Sequence, residues 1–264
     1  PPFAVSVEAF PGEGARRVGA DASIGATLLP AGSRLSSGAL ALLKMAGVNE
    51  LDVRRACVRL VVVPTEDGAA QTAAFIAALL QEAGVELDLV LCASRRLDDI
   101  ALNLAALQCD LLITLGGTGT APDDQVVQAL RGAGASVAHG LALAPGSTIA
   151  VGALNAKPVI ALPGRFDGAL SGWLALVAPA LQVLCGAHPP SALESAPLTR
   201  KISSAPGMAE IVLLERTDAG WSPSGAGEKS LAQALRADGY LLLASGSEGL
   251  AEGALVRPLP PYCR

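Results

Sequence analysis

With 264 residues, 51% of them hydrophobic, the chain can bury a large core and form one big domain or two ordinary ones. A formal charge of −5 and an aromatic content of 3% argue against nucleic acid as a partner: there is neither a basic stripe for polymer phosphates nor a set of stacking platforms for single strands. A small phosphorylated ligand stays compatible with the acidic balance, because backbone N–H groups can hold phosphate without net positive charge.

The opening PPFAVSVEAF lacks a basic region followed by an apolar core and a small-residue cleavage site. No apolar run reaches the ~20 residues that span a bilayer, so the expectation is a cytoplasmic protein with no membrane partner. Gly and Pro are too frequent before residue 30 for any element to be placed there, and residues 1–35 read as an N-terminal remnant segment. SSGALALLKMAG (36–47) then reads as a helix. From Val58 the order is strand VRLVVVP, helix over 71–83, strand VELDLVL, helix over 98–107, strand DLLITL and a helix opened by APDDQ. Strands alternating with helices of this length, the strands apolar on both faces, predict βαβ crossovers and a mostly parallel sheet covered on both sides.

HGLALAP (139–145), STIAVGAL (147–154) and PVIALP (158–163) follow as short strands separated by turns, expected as antiparallel additions at one sheet edge. A long helix over 167–184 comes next, with Gly186 as its stop signal. Beyond the Pro-rich stretch AHPPSALESAP the pattern turns to strands (LTRKISS, AEIVLLER, YLLLAS, ALVRPLP) with one short helix at SLAQALRA. The predicted organisation is an α/β domain over 36–188 and a small β-rich C-terminal domain over 189–264.

Cys57, Cys92, Cys109, Cys185 and Cys263 are odd in number, with no C-x-x-C spacing. They read as reduced, mostly buried small hydrophobes. His139 and His188 have no partner at ligand spacing and read as structural.

The chemistry concentrates in LLITLGGTGTAPDD. A strand delivers Gly116, Gly117 and Gly119 to the C-terminal edge of the sheet, where an open α/β fold has its crevice and glycine lets the backbone approach a ligand. Thr120 is placed to cap the next helix, with Asp123 as a reciprocal cap and Pro122 in the first turn. Helix N–H groups there would attract phosphate, although a capped turn with no ligand uses the same residues. Asp124 is then either a solvated first-turn carboxylate or one that orients or bridges an anion through Mg²⁺. Asp67, in VVVPTEDG, ends the first strand and would open onto the same crevice, so the two aspartates could share a metal. Pro163 and Gly164, in PVIALPGRFDG, form a second turn of this kind, either a structural turn or the opposite lip.

Together these segments resemble the molybdopterin molybdotransferase family. LLPAGSRLSSGALALLKMAGV is similar to the family's approach to its pterin-binding domain, and GGTGTAPDD falls at its glycine-rich phosphate loop. IALPGRFDGALSGWLALVAPALQVLCG is similar to its Leu-Pro-Gly loop and helix, and LAQALRADGYLLLASGSEGLAEGALV resembles its C-terminal β-domain. The wording GGTGTAP is closer to the sister molybdopterin adenylyltransferases; both families place a functional aspartate at the position of Asp124.

The resemblance implies a three-layer molybdopterin-binding fold in which Gly116, Gly117, Thr118, Gly119 and Thr120 cradle the phosphate of molybdopterin or its adenylate. It also implies that Pro163, Gly164 and Arg165 form the second lip. Asp67 and Asp124 would act catalytically or hold Mg²⁺, with molybdate as the co-substrate. Implied partners are the pterin ligand and either a second copy of the chain or a molybdoenzyme.

The implied function is assistance in molybdenum insertion, with a non-catalytic pterin carrier and adenylyl transfer as the alternatives. Three departures bear on it. Thr65-Glu66-Asp67-Gly68 keeps only the aspartate of the family's Thr-Gly-Asp-Glu. Ala144-Pro145-Gly146-Ser147 replaces Lys-Pro-Gly-Lys and so removes two cations. Leu162-Pro163-Gly164-Arg165-Phe166 replaces Leu-Pro-Gly-Asn-Pro. Charge-assisted hydrogen bonds contribute about 1.5–3 kcal/mol each, so two lost lysines weaken an oxyanion site by orders of magnitude unless Arg165 compensates.

Overall fold

The computed structural model describes residues 10–65, 69–104, 108–225 and 227–261. Its contacts divide the chain into two compact units, Pro1–Val53 and Arg54–Arg264. Asp67 and Cys263 lie outside the described residues.

In the first unit, α1 (Ser37–Met45) forms where the sequence predicts it. The Ser36 hydroxyl accepts the Ala39 amide at 3.2 Å and so satisfies one of the donors that a helix start leaves free.

The second unit opens with the predicted alternation: β1 (Cys57–Val62), α2 (Ala69–Glu82), β2 (Glu86–Leu91), α3 (Leu97–Leu104), β3 (Leu111–Leu115) and α4 (Val126–Gly132). It continues with β4 (Ser136–His139), β5 (Leu143–Ala144), β6 (Ala150–Leu154) and β7 (Lys157–Leu162). Six of these strands form one sheet in the order β2-β1-β3-β7-β6-β4. The strands β2, β1, β3 and β7 run parallel, and β6 is antiparallel to both of its neighbours.

Alternate residues of each strand serve opposite faces, which creates two separate cores. Val58, Leu60, Val62, Leu111, Ile113 and Leu115 pack with α2 and the helix after β7. Val61, Val63 and Leu112 pack on the other side with Ile100 and Leu104 of α3 and Val126 and Leu130 of α4. Helix, sheet and helix are thus three layers, as expected.

Three expectations about the strands need correction. HGLALAP is not one strand at the sheet edge: its His139 ends β4, and β5 leaves the sheet to pair in parallel with a strand of the second sheet. A two-residue strand carries no periodic signal that would have revealed this. PVIALP, as β7, is an interior strand. The edge strand β2 also departs from the expected two-sided burial, with Leu89 and Leu91 exposed.

The helix after β7 runs continuously as α5 (Phe166–Gly172), a π turn (Trp173–Val177) and α6 (Ala178–Cys185), and Gly186 ends it in the left-handed conformation with φ 62°. At 20 residues it does reach the length and apolar character of a membrane span, contrary to the sequence expectation. Half of it is buried in the protein, because Ala169, Leu170, Trp173, Leu174, Val177 and Leu181 supply one face of the core. Its hydrophobicity is that of a helix packed against a sheet.

The tail is β-rich as expected. It comprises β8 (Ala196–Pro197), β9 (Ile202–Ser203), β10 (Ala209–Thr217), β11 (Gly220–Gly225), α7 (Leu231–Arg236), β12 (Gly239–Leu243), β13 (Gly249–Leu250) and β14 (Leu255–Val256). The second sheet is built on β10, flanked antiparallel by β11 and β12, with β5 joined to its start. Ile211, Leu213 and Tyr240 share a hydrophobic cluster with Trp173 and Leu174, so one face of this sheet packs on the α/β layers. Val212, Leu214, Trp221 and Leu243 build a separate core on its other face.

The β4–β6 pairing depends on Gly152, where a Cβ would overlap the Ser136 carbonyl oxygen and press on Val137. Gly152→Ala is therefore expected to lower stability by about 1–3 kcal/mol in chemical denaturation, the cost of overpacking a close contact between strands. Unchanged stability would contradict the close pairing of these strands.

Candidate functional site

The C-terminal ends of β1, β3 and β7 are adjacent in the sheet. Their backbones meet around Thr65. A Cβ on Gly116 would stand 2.7 Å from the Val63 carbonyl oxygen and 3.0 Å from Thr65 Cγ2, and one on Gly164 would stand 3.2 Å from Thr65 Oγ1. Gly116 also has φ 92°, so both packing and backbone conformation demand glycine. The Thr65 hydroxyl oxygen is buried without a hydrogen-bond partner among the described residues. A buried polar atom of this kind at the mouth of a sheet calls for a ligand or water.

The glycine-rich loop that leaves β3 is folded differently from the capped turn expected. The helix begins at Val126 instead of at the APDDQ segment; its N-cap is Gln125 and no side chain caps it. Thr120 is exposed and caps nothing, and Asp123 is not a reciprocal cap. What closes the loop is Asp124, whose Oδ2 accepts the Ala121 amide at 3.2 Å while its own amide donates to the Ala121 carbonyl at 2.9 Å. A local Asx bond of this type competes with helix formation, which explains the delayed start. The Asp124 carboxylate lies directly on Gly119, leaving no room for a side chain there.

The backbone amides of this loop are divided. Gly116 donates to the Leu162 carbonyl at 2.9 Å, so its role is close approach. Among the described residues none accepts from the amides of Gly117, Thr118, Gly119 or Thr120, although Gly117 and Thr118 are buried. Successive N–H groups left without a protein acceptor are what an anion-binding loop would need. The Thr118 side chain turns inward to Thr148, with 3.3 Å between the hydroxyls, and its carbonyl meets His139 Nε2 at 2.9 Å. His139 therefore donates from Nε2 and braces the loop, a structural role as expected.

Two residues that sequence reasoning missed complete this lip. Arg95, just after β2, extends Nη1 to Asp123 at 2.7 Å and Nη2 to Asp124 at 3.2 Å. Beside them opens a cleft of about 370 Å³, lined by Arg95, Arg96, Leu97, Asp98, Asp123 and Gln125. The available signal was Arg95-Arg96 at the C-terminal end of a parallel strand in an acidic chain. The second is Thr65, quoted in the sequence only as a neighbour of Asp67.

The opposite lip carries Pro163, Gly164 and Arg165. Arg165 is paired with Asp167 at 2.9 Å and Glu228 at 2.9 Å, and these two carboxylates hold its guanidinium above its usual range. The guanidinium is 64% exposed, so this pairing sits at the surface and only its Asp167 end is buried. The Ala144–Ser147 turn has no cation of its own, but Ala144 lies opposite Glu210, and Glu210 and Asp167 are buried near the buried Lys229. Burial pushes the Lys229 ammonium down to about 8 against the upward pull of these carboxylates.

Residues 59–183 match the family model described as a probable molybdopterin binding domain. The chain is similar to molybdopterin molybdenumtransferase 2 of Mycobacterium tuberculosis, with 28% identity over 229 residues, covering 77% of this chain and 56% of the relative. It therefore spans about half the length of the curated relatives it matches. The fold is similar to that of the molybdopterin biosynthesis MoeA protein of Pyrococcus horikoshii, with TM-score 0.73 and 22% identity over 93% of this chain and 65% of the other. It is also similar to that of a molybdenum cofactor biosynthesis protein of Pyrococcus furiosus, with TM-score 0.69 and 21% identity over 90% and 80% of the two chains. The resemblance read from the sequence and the mixed α/β architecture with a β-rich addition are both borne out.

Because Lys229 releases its proton near pH 8 when folded and near 10.5 when unfolded, the unfolded chain holds more protons between these values. This group therefore makes stability rise with pH through that window. The rise is expected in wild type relative to Lys229→Met, measured by urea unfolding from pH 8 to 10.5. Parallel pH profiles for the two proteins would contradict the placement of Lys229.

Proposed function

We propose that this protein binds molybdopterin, or its adenylate, at the C-terminal edge of the sheet and serves molybdenum cofactor biosynthesis in the manner of a molybdotransferase. The observation that carries the reading is the row of four unspent amides from Gly117 to Thr120 beside the crowded strand ends. Such a row holds a phosphate without needing a basic side chain, which suits a chain of net charge −5. The match of residues 59–183 to a probable molybdopterin binding domain supports the pterin as the molecule that carries the phosphate. Pro163 and Gly164 would form the second wall, packed against the buried Thr65 hydroxyl. A magnesium ion shared by Asp67 and Asp124 is left out of this reading, because the Arg95 guanidinium already neutralises Asp124.

A specific observation favours a second reading, in which the protein holds the pterin without inserting molybdenum. Arg165, the cation that could replace the missing lysines, is committed to Asp167 and Glu228. Molybdate would then have to compete with Asp167 and Glu228 for the positive side chain at the second lip. A molybdopterin carrier or a partner in molybdoenzyme maturation fits that arrangement.

Gly119→Ala separates a binding loop from an inert turn, since the added methyl group must displace the Asp124 carboxylate and with it the loop. Molybdopterin titrated against wild type should show saturable binding, weakened about tenfold or more in the variant, the equivalent of one charge-assisted hydrogen bond. Equal affinities in two folded proteins would remove the loop from the site. Release of a molybdenum-loaded product on adding molybdate would decide for the transferase reading over the carrier.

A further inference from the structure

The Arg95 guanidinium spans two carboxylates of one loop, an arrangement that capping and crevice geometry do not require. Nη1 takes Asp123 Oδ2 at 2.7 Å and Nη2 takes Asp124 Oδ1 at 3.2 Å, so one fork neutralises two neighbouring acids. The second oxygen of Asp124 is occupied by the Ala121 amide. The Asp124 side chain is 15% exposed and that of Arg95 is 27% exposed, so the pair is only partly screened by water. Arg95 is itself held in position from the other side. The Ser94 amide and hydroxyl both donate to Asp99 Oδ2, at 2.5 and 3.2 Å, and the Arg96 amide donates to the Ser94 hydroxyl at 3.3 Å, which ties the segment to the start of α3.

We propose that Arg95 is a positioning residue that acts as the loop's built-in counter-cation. It occupies the carboxylates of Asp123 and Asp124 that a divalent ion would otherwise take, and it closes the loop for anion binding without a metal. Two aspartates next to each other in sequence and beside an anion site repel both one another and the ligand. With Arg95 in place the trio carries one negative charge; without it, two. A divalent cation could supply the same neutralisation, but the covalently tethered guanidinium is always present, never loses its charge and needs no dehydration. The role assigned to the loop rests on the anion-binding reading above, whereas the occupancy of the carboxylates does not.

Mn²⁺ binding followed by electron paramagnetic resonance tests this directly, with Mn²⁺ standing in for Mg²⁺. Arg95→Ala should acquire one Mn²⁺ site at least about tenfold tighter than any in wild type, as a doubled local negative charge predicts. Adding Asp124→Asn to that variant should abolish the gain. Where Arg95→Ala fails to give folded protein by circular dichroism, Arg95→Gln keeps the three-carbon stem and removes the charge in the same way. Identical Mn²⁺ binding by wild type and the charge-removed variant would overturn the proposal.

A second readout uses molybdopterin. Its affinity for wild type should be indifferent to Mg²⁺, while in Arg95→Ala it should fall in metal-free buffer and recover on adding Mg²⁺. A purely structural ion pair would show no such rescue. If the variant gains Mn²⁺ and neither protein binds molybdopterin, the pterin reading fails and the assignment of Arg95 stands; wild-type binding that requires Mg²⁺ would overturn the metal-free loop.

Discussion

Three strand ends converge so closely around Thr65 that a side chain on Gly116 would press into the Val63 carbonyl, and the rest of the site follows from that crowding. Parallel pairing of β1 with β3 and of β3 with β7 brings the chain ends to one edge, and the ladder consumes the Gly116 amide on Leu162. The loop beyond must then turn away from the sheet, and it does so with its next four amides unspent. Buried N–H groups without partners are rare in native proteins because each carries a desolvation cost. Here two of them, on Gly117 and Thr118, follow one another in the loop, with no acceptor among the described residues.

Charge around this row is arranged economically. Arg95 is divided between Asp123 and Asp124, Arg165 between Asp167 and Glu228, and Lys229 is buried with Glu210 and Asp167. Each cation therefore serves the protein's own acids before any ligand arrives. The backbone is left as the main source of positive potential in the crevice, which suits capture and orientation of a phosphate. Polarising an incoming oxyanion of molybdenum would call for uncommitted cations instead. The same charges tie the second sheet to the α/β layers, since Glu228 and Lys229 come from the segment between β11 and α7 while Arg165 and Asp167 flank the start of α5.

Much of the fold was legible because its signals are local and periodic. The apolar strands at Val58 and Leu111, the helices between them and the stop at Gly186 each follow from residues close in sequence. The elements that escaped depend on partners far along the chain. Leu143 and Ala144 become a strand only because Ala209 and Glu210 arrive beside them, and WSPSG forms β11 against β10 despite its Gly, Pro and Ser content. At the site, Asp124 was recognisable as more than a cap, but its closure of the loop through Ala121 was not, since Ala-Pro-Asp-Asp-Gln reads equally well as a helix start. Arg95 lay in a stretch with no motif, and only the folding of α3 beside α4 brings it to Asp123 and Asp124.

The proposed site is defined by where the phosphate sits, and a crystal structure of the protein with molybdopterin bound measures that most directly. The prediction is phosphate oxygens within hydrogen-bonding distance of the amides of Gly117, Thr118, Gly119 and Thr120, with Arg95 still bridging Asp123 and Asp124. A pterin phosphate bound elsewhere on the chain, with those four amides turned to water, would contradict it.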